Sequence, residues 1–280
     1  MPSPSDEQVI TPHVLRAWPL PDPQGDKESR GTVLVAGGAQ TTPGAVLLAG
    51  VAALRAGAGR LQLAVAQATA AALSIAVPEA KVIGLPEHED QFHDMAAAAD
   101  VIAVGPGLDN VGDADRLMRQ VLGAAGEEAG IVLDAYALGA LSKDAKLLHD
   151  RPQRVVLTPN TIEARVLLGD DPGEDLAAAA YAVAERYRAV VSLYGHIATP
   201  DGRCWREESG DTGLGTSGSG DVQAGIVAGL LGRGADAAQA ACWGAFAHAV
   251  SGRRLAPRFG RTGFLARELV DEVAYTIATV

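Results

Sequence analysis

Six short runs of apolar, mostly β-branched residues punctuate this chain, each separated from the next by a helical pattern rich in alanine. The runs are Thr32 to Ala36, Leu61 to Val65, Val101 to Val104, Ile131 to Leu133, Val155 to Leu157 and Ala189 to Leu193. The helical stretches fall at 44–57, 68–76, 111–124, 160–169 and 174–188. A strand that is apolar at every position offers no face to water, so both faces of its sheet must be covered. Strands alternating with helices achieve this through parallel crossovers. The pattern predicts an α/β fold in three layers: a mainly parallel central sheet with helices on both faces. Ligands of such sheets bind beyond the carboxyl ends of the strands. The chemistry should therefore lie on the turns Gly37-Gly38-Ala39, Gly105-Pro106-Gly107, Asp134-Ala135-Tyr136, Thr158-Pro159-Asn160 and Tyr194-Gly195-His196.

The segment Gly215-Thr216-Ser217-Gly218-Ser219-Gly220-Asp221 runs directly into the apolar stretch Val222 to Leu231. Val222, Ile226, Val227 and Leu230 share one helical face, so a loop of small residues opens into a buried helix. Small residues let backbone N–H groups approach an anion closely, and a helix N-terminus adds partial positive charge. Asp221 would stand in the first turn, where it serves either as a proton acceptor or as a helix cap. The combination points to phosphate chemistry.

The 280 residues are 48% hydrophobic, enough for one large domain over 1–280, with a polar, proline-bearing N-terminal extension at 1–26. A formal charge of −11 and the lack of any Lys/Arg-rich run argue against nucleic-acid and anionic-membrane partners. Cys204 and Cys242 are isolated, without metal-ligand spacing, and no apolar leader or membrane-length span is present, which fits a cytoplasmic protein. No Walker loop is present and no G-x-G-x-x-G opens the first helix, and neither G-x-S-x-G nor H-E-x-x-H occurs. The histidines are scattered, so no metal site is expected, and His248 reads as a satisfied core residue. The alanine-rich stretch 235–250 reads as a packed helix, serving either the core or an oligomer interface.

Several motifs in order carry a family resemblance. Arg30 to Gly38, Pro43-Gly44-Ala45 and Ala52 to Gly59 resemble the first strand, substrate loop and first helix of the NAD(P)H-hydrate dehydratases. Val104 to Leu108 resembles that family's G-P-G-L segment, Leu133-Asp134-Ala135 the start of its L-D-A-D-A-L segment, and Gly215 to Leu231 its anion-hole loop and helix. The likeness runs from about Lys27 to the C-terminus. It implies a ribokinase-like three-layer sandwich that uses ADP or ATP to dehydrate hydrated NADH or NADPH. On that resemblance, Asp221 is the catalytic carboxylate: it accepts the proton of the substrate's C6 hydroxyl as this attacks the terminal phosphoryl group, and loss of phosphate restores the ring. Ala45, Gly107, Asn160 and Asp221 map to the substrate side, and Tyr194, Gly195, His196, Thr216, Gly218, Ser219 and Gly220 to the nucleotide side. The N–H groups of Gly218, Ser219 and Gly220 would stabilise charge on the phosphoryl oxygens. The helix dipole would keep Asp221 a weak base. Mg²⁺ is implied by phosphoryl transfer, not by a visible ligand cluster. A homo-oligomer, tetrameric in the family, is implied too.

Three positions depart from the family pattern. Tyr136 stands where the family has its second aspartate, Asn160 where it has histidine, and Tyr194 where a lysine would face phosphates. The hairpin beginning at His196 is about three residues shorter. Two other readings stand beside the dehydratase: a small-molecule kinase of the same superfamily, whose product is a stable phosphoester, and a non-catalytic nucleotide-binding relative. The length also leads us to expect a stand-alone dehydratase domain without a fused epimerase.

Overall fold

The computed structural model describes residues 7–22, 26–151 and 154–280. Its strands are β1 (Gln8–Val9), β2 (Thr32–Ala36), β3 (Arg60–Ala66), β4 (Ala80–Leu85), β5 (Val101–Val104), β6 (Gly130–Leu133), β7 (Val155–Leu157), β8 (Val190–Leu193), β9 (His196–Ala198) and β10 (Cys204–Arg206). The first helices are α1 (Pro12–Ala17), α2 (Pro43–Ala56), α3 (Gln67–Ala76), α4 (Glu89–Ala98), α5 (Val111–Ala124) and α6 (Tyr136–Leu141). The rest are α7 (Thr161–Leu168), α8 (Leu176–Tyr187), α9 (Ser219–Gly232), α10 (Ala237–Phe259) and α11 (Ala266–Ala278). All six expected strands and the five expected helices are present, with ends within two residues of the sequence reading.

The strands form one sheet in the order β1-β10-β9-β8-β7-β6-β5-β2-β3-β4. It is parallel from β8 through β4, while β9 and β10 add an antiparallel hairpin. Alternation along each strand divides the core in two. Val33 and Val35 enter one apolar cluster with α2, α9, α10 and α11, while Leu34 and Ala36 enter the other with α4 to α8. The chain steps from β2 outward to β3 in one direction and places β5 on the other side, so a crevice opens between the ends of β2 and β5.

The strand β4 and helix α4 had no clear signal in the sequence. β4 is an edge strand interrupted by Lys81 and Gly84, and α4 begins on Glu89 and Asp90 with little apolar surplus. Over its described residues the N-terminal extension is no free tail. β1 pairs with β10, Leu15 is fully buried, and Trp18 stacks on Trp205 with ring centroids 5.8 Å apart.

Helix α9 is buried on nearly every side, and its glycines admit α2 to backbone contact. A Cβ at Gly225 would lie 2.1 Å from the carbonyl oxygen of Ala49, and one at Gly229 would lie 2.3 Å from that of Ala53. Gly225→Ala should therefore destabilise the fold by about 1–3 kcal/mol through overpacking. Urea unfolding checks this, and an unchanged midpoint would mean that α2 has room to withdraw.

Candidate active site

The stretch Thr212–Gly215 makes a short 3-10 turn, and Gly218 then begins α9 from a left-handed conformation, φ +87°. Only glycine adopts this readily, and here a Cβ would also strike the Leu48 side chain at 2.6 Å. Because Gly218 is the N-cap and no side chain caps the helix, Asp221 is not a capping residue. It sits half-buried in the first turn and makes no side-chain hydrogen bond among the described residues. The N–H of Ser219 is bonded to the carbonyl of Thr216, at 3.2 Å, and its hydroxyl to His248 Nε2, at 2.8 Å. Of the expected donors, Ser219 is therefore engaged, and the N–H of Asp221 takes its place. Gly218, Gly220 and Asp221 keep unpaired backbone N–H groups among the described residues.

This helix end forms one wall of a cavity of about 860 Å³. The turns after β6, β7 and β8 and the loop after β10 form the remainder, bringing Asp134, Thr158, Asn160, Glu163, Tyr194, Gly195, Glu207, Glu208 and Asp211 to the same space as Ser219, Gly220 and Asp221. The lining holds six carboxyl groups and no lysine or arginine. His248 is its sole histidine, only 7% exposed and held at a pKa of about 4 by burial, as expected of a satisfied core residue.

Burial governs the acids. Asp134, 6% exposed, receives a 2.8 Å hydrogen bond from Thr158, yet burial first, then Glu163 and Asp221, push its carboxyl up to about 8. Asp221 is raised to about 6 by burial and then by Glu163. The helix dipole was expected to keep Asp221 acidic, but burial outweighs it. Glu163 and Glu207 are raised by burial as well, whereas Asp211, at the rim, is lowered to about 2 by Arg261.

The other expected site residues take different places. Asn160 lines the cavity but also caps α7: its Oδ1 accepts from the N–H groups of Ile162 and Glu163, each at 2.9 Å, while Glu163 accepts from the N–H of Asn160. The amide Nδ2 is what remains to meet a ligand. Tyr194 and Gly195 form the two-residue turn between β8 and β9, both at positive φ, with the tyrosine 71% exposed at the cavity lip. His196 and Thr216 lie outside the lining. Strand alternation turns the His196 ring away to a 2.8 Å contact with Glu7. Ala45 and Gly107 also lie outside this lining, at the crevice between β2 and β5. There Thr42 and the N–H of Ala39 both donate to the Gly107 carbonyl at 2.7 Å, and a Cβ on Gly107 would sit 2.9 Å from that of Ala45.

Sequence reasoning did not select Asp134, Glu163, Glu207, Asp211 or Gln223 as site residues. Asp134 carried a usable signal, an acid immediately after a buried strand, and Glu163 another, the N-x-x-E spacing of a capping box. Gln223 lies one position past the expected helical face and donates to Ser192 on β8 at 3.0 Å, tying α9 to the strand that ends at Tyr194.

Fold and cavity together define a ribokinase-like α/β protein in which an uncapped helix end opens on a cavity lined by carboxyl groups. A family model described as NAD(P)H-hydrate dehydratase matches residues 33–274, and the chain belongs to that family. It is 45% identical to the ADP-dependent (S)-NAD(P)H-hydrate dehydratase of Xanthomonas campestris, over 95% of this chain and 94% of the relative. Identity to the enzyme of the same name from Neisseria meningitidis is 34%, over 92% and 88%. Among solved structures, the ADP/ATP-dependent NAD(P)H-hydrate dehydratase of Bacillus subtilis, co-crystallised with ATP and Mg²⁺, superposes with a TM-score of 0.83 at 27% identity, covering 98% and 99% of the two chains.

A carboxyl whose pKa rises on folding makes the native state bind more protons than the unfolded chain, so stability falls as pH increases through that window. With Asp221 near 6 and Asp134 near 8, against 3.8 unfolded, the decline should run between about pH 4 and pH 8. Thermal midpoints taken across this range test it. Asp134→Asn, uncharged at every pH, should flatten the slope; an equally steep slope in the variant would show that Asp134 is not strained by burial.

Proposed function

We propose that this protein dehydrates hydrated NADH or NADPH at the expense of ADP or ATP, returning the reduced cofactor. Family membership supports the reaction. The observation that carries the reading at residue level is the first turn of α9, where an uncapped, half-buried carboxylate stands beside unpaired N–H donors. Asp221 accepts the proton of the attacking hydroxyl. Its raised pKa makes it a better base than a free aspartate while leaving it mostly ionised at neutral pH. The N–H groups of Gly220 and Asp221 face the phosphoryl oxygens as charge moves onto the leaving phosphate. Tyr194 and Gly195 border the nucleotide, and the hydrated ring occupies the crevice of Ala45 and Gly107, with the Asn160 amide between them.

An anionic nucleotide in a cavity of six carboxyls needs cationic compensation, and the lining provides none. No group of three or more His, Cys, Asp or Glu among the described residues is assembled to hold a metal. Mg²⁺ does not need one, because one or two carboxylates together with the nucleotide's phosphates suffice. The hard oxygen donors fit such an ion, and Glu163 is the residue we assign to hold it. When bound, Mg²⁺ neutralises phosphate charge.

No helix among the described residues is long and apolar enough to cross a membrane. We place the reaction in the cytoplasm, where reduced nicotinamides and adenine nucleotides coexist, and we expect a tetramer on the family resemblance. The alanine-rich run of α10 does not by itself offer an interface, since Ala237 to Ala249 is buried within one chain.

Mixing the protein with NADH hydrate, Mg²⁺ and ADP should restore the reduced-nicotinamide absorbance and release phosphate. A stable phosphoester instead would indicate a kinase. Asp221→Asn should fold and bind nucleotide while losing more than about a hundredfold in kcat; parental turnover in this variant would remove Asp221 from the chemistry. Gly220 is not a strained position. Its Cβ would meet no atom within 4 Å and its φ is not positive. Gly220→Val should therefore retain the melting temperature and lose nucleotide affinity in calorimetry, because the added methyls project where phosphate must sit. Undiminished affinity would argue against the α9 anion site.

A further inference from the structure

Removing the elements of water to make a ring double bond breaks two bonds to hydrogen. One is the O–H of the attacking hydroxyl, and the other is a C–H on the neighbouring carbon. Asp221 attends to the first. We propose that Asp134 is the catalytic residue for the second, accepting the proton from that carbon as phosphate departs; the assignment rests on the dehydratase reading.

The sheet places Asp134 where the two substrates meet. It follows β6, which lies between β5 and β7, so on one side it borders the crevice of Ala45 and Gly107 and on the other the nucleotide cavity. Its backbone is fitted to the crevice turn: the N–H of Asp134 donates to the Val104 carbonyl at 3.0 Å, and a Cβ on Gly105 would lie 1.9 Å from the Asp134 carbonyl oxygen. The other cavity acids are less suited. Glu163 is engaged in the capping box of α7, Glu207 accepts two backbone N–H groups at 2.8 and 3.1 Å, and Asp211 is paired with Arg261. Asp134 is held in aim by the Thr158 hydroxyl, and the next residue, Ala135, adopts φ +50°, a conformation alanine rarely takes outside functional sites.

The balance has two steps. In the first, the hydroxyl oxygen bonds to the terminal phosphorus, the bridging P–O bond breaks with its electron pair staying on the shortened nucleotide, and the O–H proton goes to Asp221. In the second, the C–H electron pair becomes the ring double bond, the C–O bond breaks with its pair leaving as inorganic phosphate, and the proton goes to Asp134. The charged groups facing Asp134 are Glu163 from α7 and Asp221 from α9, both acids.

The test follows nucleotide cleavage and ring restoration separately in the full chain, with NADH hydrate, Mg²⁺ and ADP. Asp134→Asn should bind ADP as the parent does and still release AMP in the first turnover. NADH return should fall by more than about a hundredfold, and a phosphorylated hydrate should accumulate, visible by phosphorus NMR. Asp134→Ser should show the same uncoupling and recover NADH return on addition of formate, which refills the vacated carboxylate site. Parental NADH return in Asp134→Asn would overturn the assignment, as would equal loss of AMP release and NADH return without formate rescue in Asp134→Ser. If the parent itself gives no nucleotide-dependent NADH, the dehydratase reading fails first and the assignment goes with it.

Discussion

The close contact of α9 with α2 is the constraint on which the site depends. A helix that lies against both α2 and α10 cannot slide or tilt, and the backbone approach at Gly225 and Gly229 leaves no slack for adjustment. The N-terminus of α9 is therefore delivered to a fixed point beyond the strand ends. Its unpaired N–H groups are oriented before any ligand arrives, so binding does not have to order them. The same rigidity holds Asp221 in the first turn and leaves Gly218 to make the left-handed approach.

Around this fixed end the chain has accumulated like charge. Six carboxyls share the cavity with no lysine or arginine in its lining, and the pKa values of the two deepest aspartates, Asp134 and Asp221, are driven upward and apart. Such a cavity is costly in stability, since desolvated acids oppose folding once ionised. The cost separates two carboxyls of identical intrinsic chemistry. Asp221 is mostly ionised at neutral pH, while Asp134 ionises only as the pH approaches 8, and in that ionised form it is the stronger base of the two. For the proposed nucleotide, this lining leaves recognition to backbone dipoles and to cations that the nucleotide would bring with it.

The fold was legible because its central strands are almost continuously apolar, broken only by residues such as Thr32, Gln62 and Ser192, and its helices alternate with them. That pattern located the central parallel strands and the helices between them. Among the elements that failed to register, β4 with α4 and the N-terminal β1 lie at the sheet edges, where one side needs no partner and apolar continuity is not required, while α11 and the extension of α10 beyond residue 250 were missed without that excuse. The α9 loop was legible as small residues running into a buried helix, because Val222, Ile226, Val227 and Leu230 repeat at helical spacing. Which N–H groups stay free was not, since the bond from Ser219 to Thr216 is a property of one turn's geometry. His196 illustrates the limit of carrying a site by adjacency: next to Tyr194 and Gly195 in sequence, it is turned away by strand alternation to meet Glu7, a residue 189 positions earlier.

The departures from the family pattern can be read physically. Asn160 is a better helix cap than histidine, and it bonds two N–H groups of α7 while Glu163 closes the box. That exchange favours the scaffold and still leaves an amide donor toward the cavity. Tyr194 goes the other way. In a two-residue turn with positive φ at both positions, glycine or asparagine is favoured, and a bulky residue there costs on the order of 1 kcal/mol or more. A strained tyrosine, exposed at the lip of a cavity, gains nothing from local structure. Its ring is suited to a planar, uncharged surface such as a nucleobase rather than to phosphate. The lysine of the family pattern would have placed its charge near the phosphates. On the proposed reading, that contact is exchanged for an aromatic one, and the end of α9 is left as the phosphates' main partner in this chain.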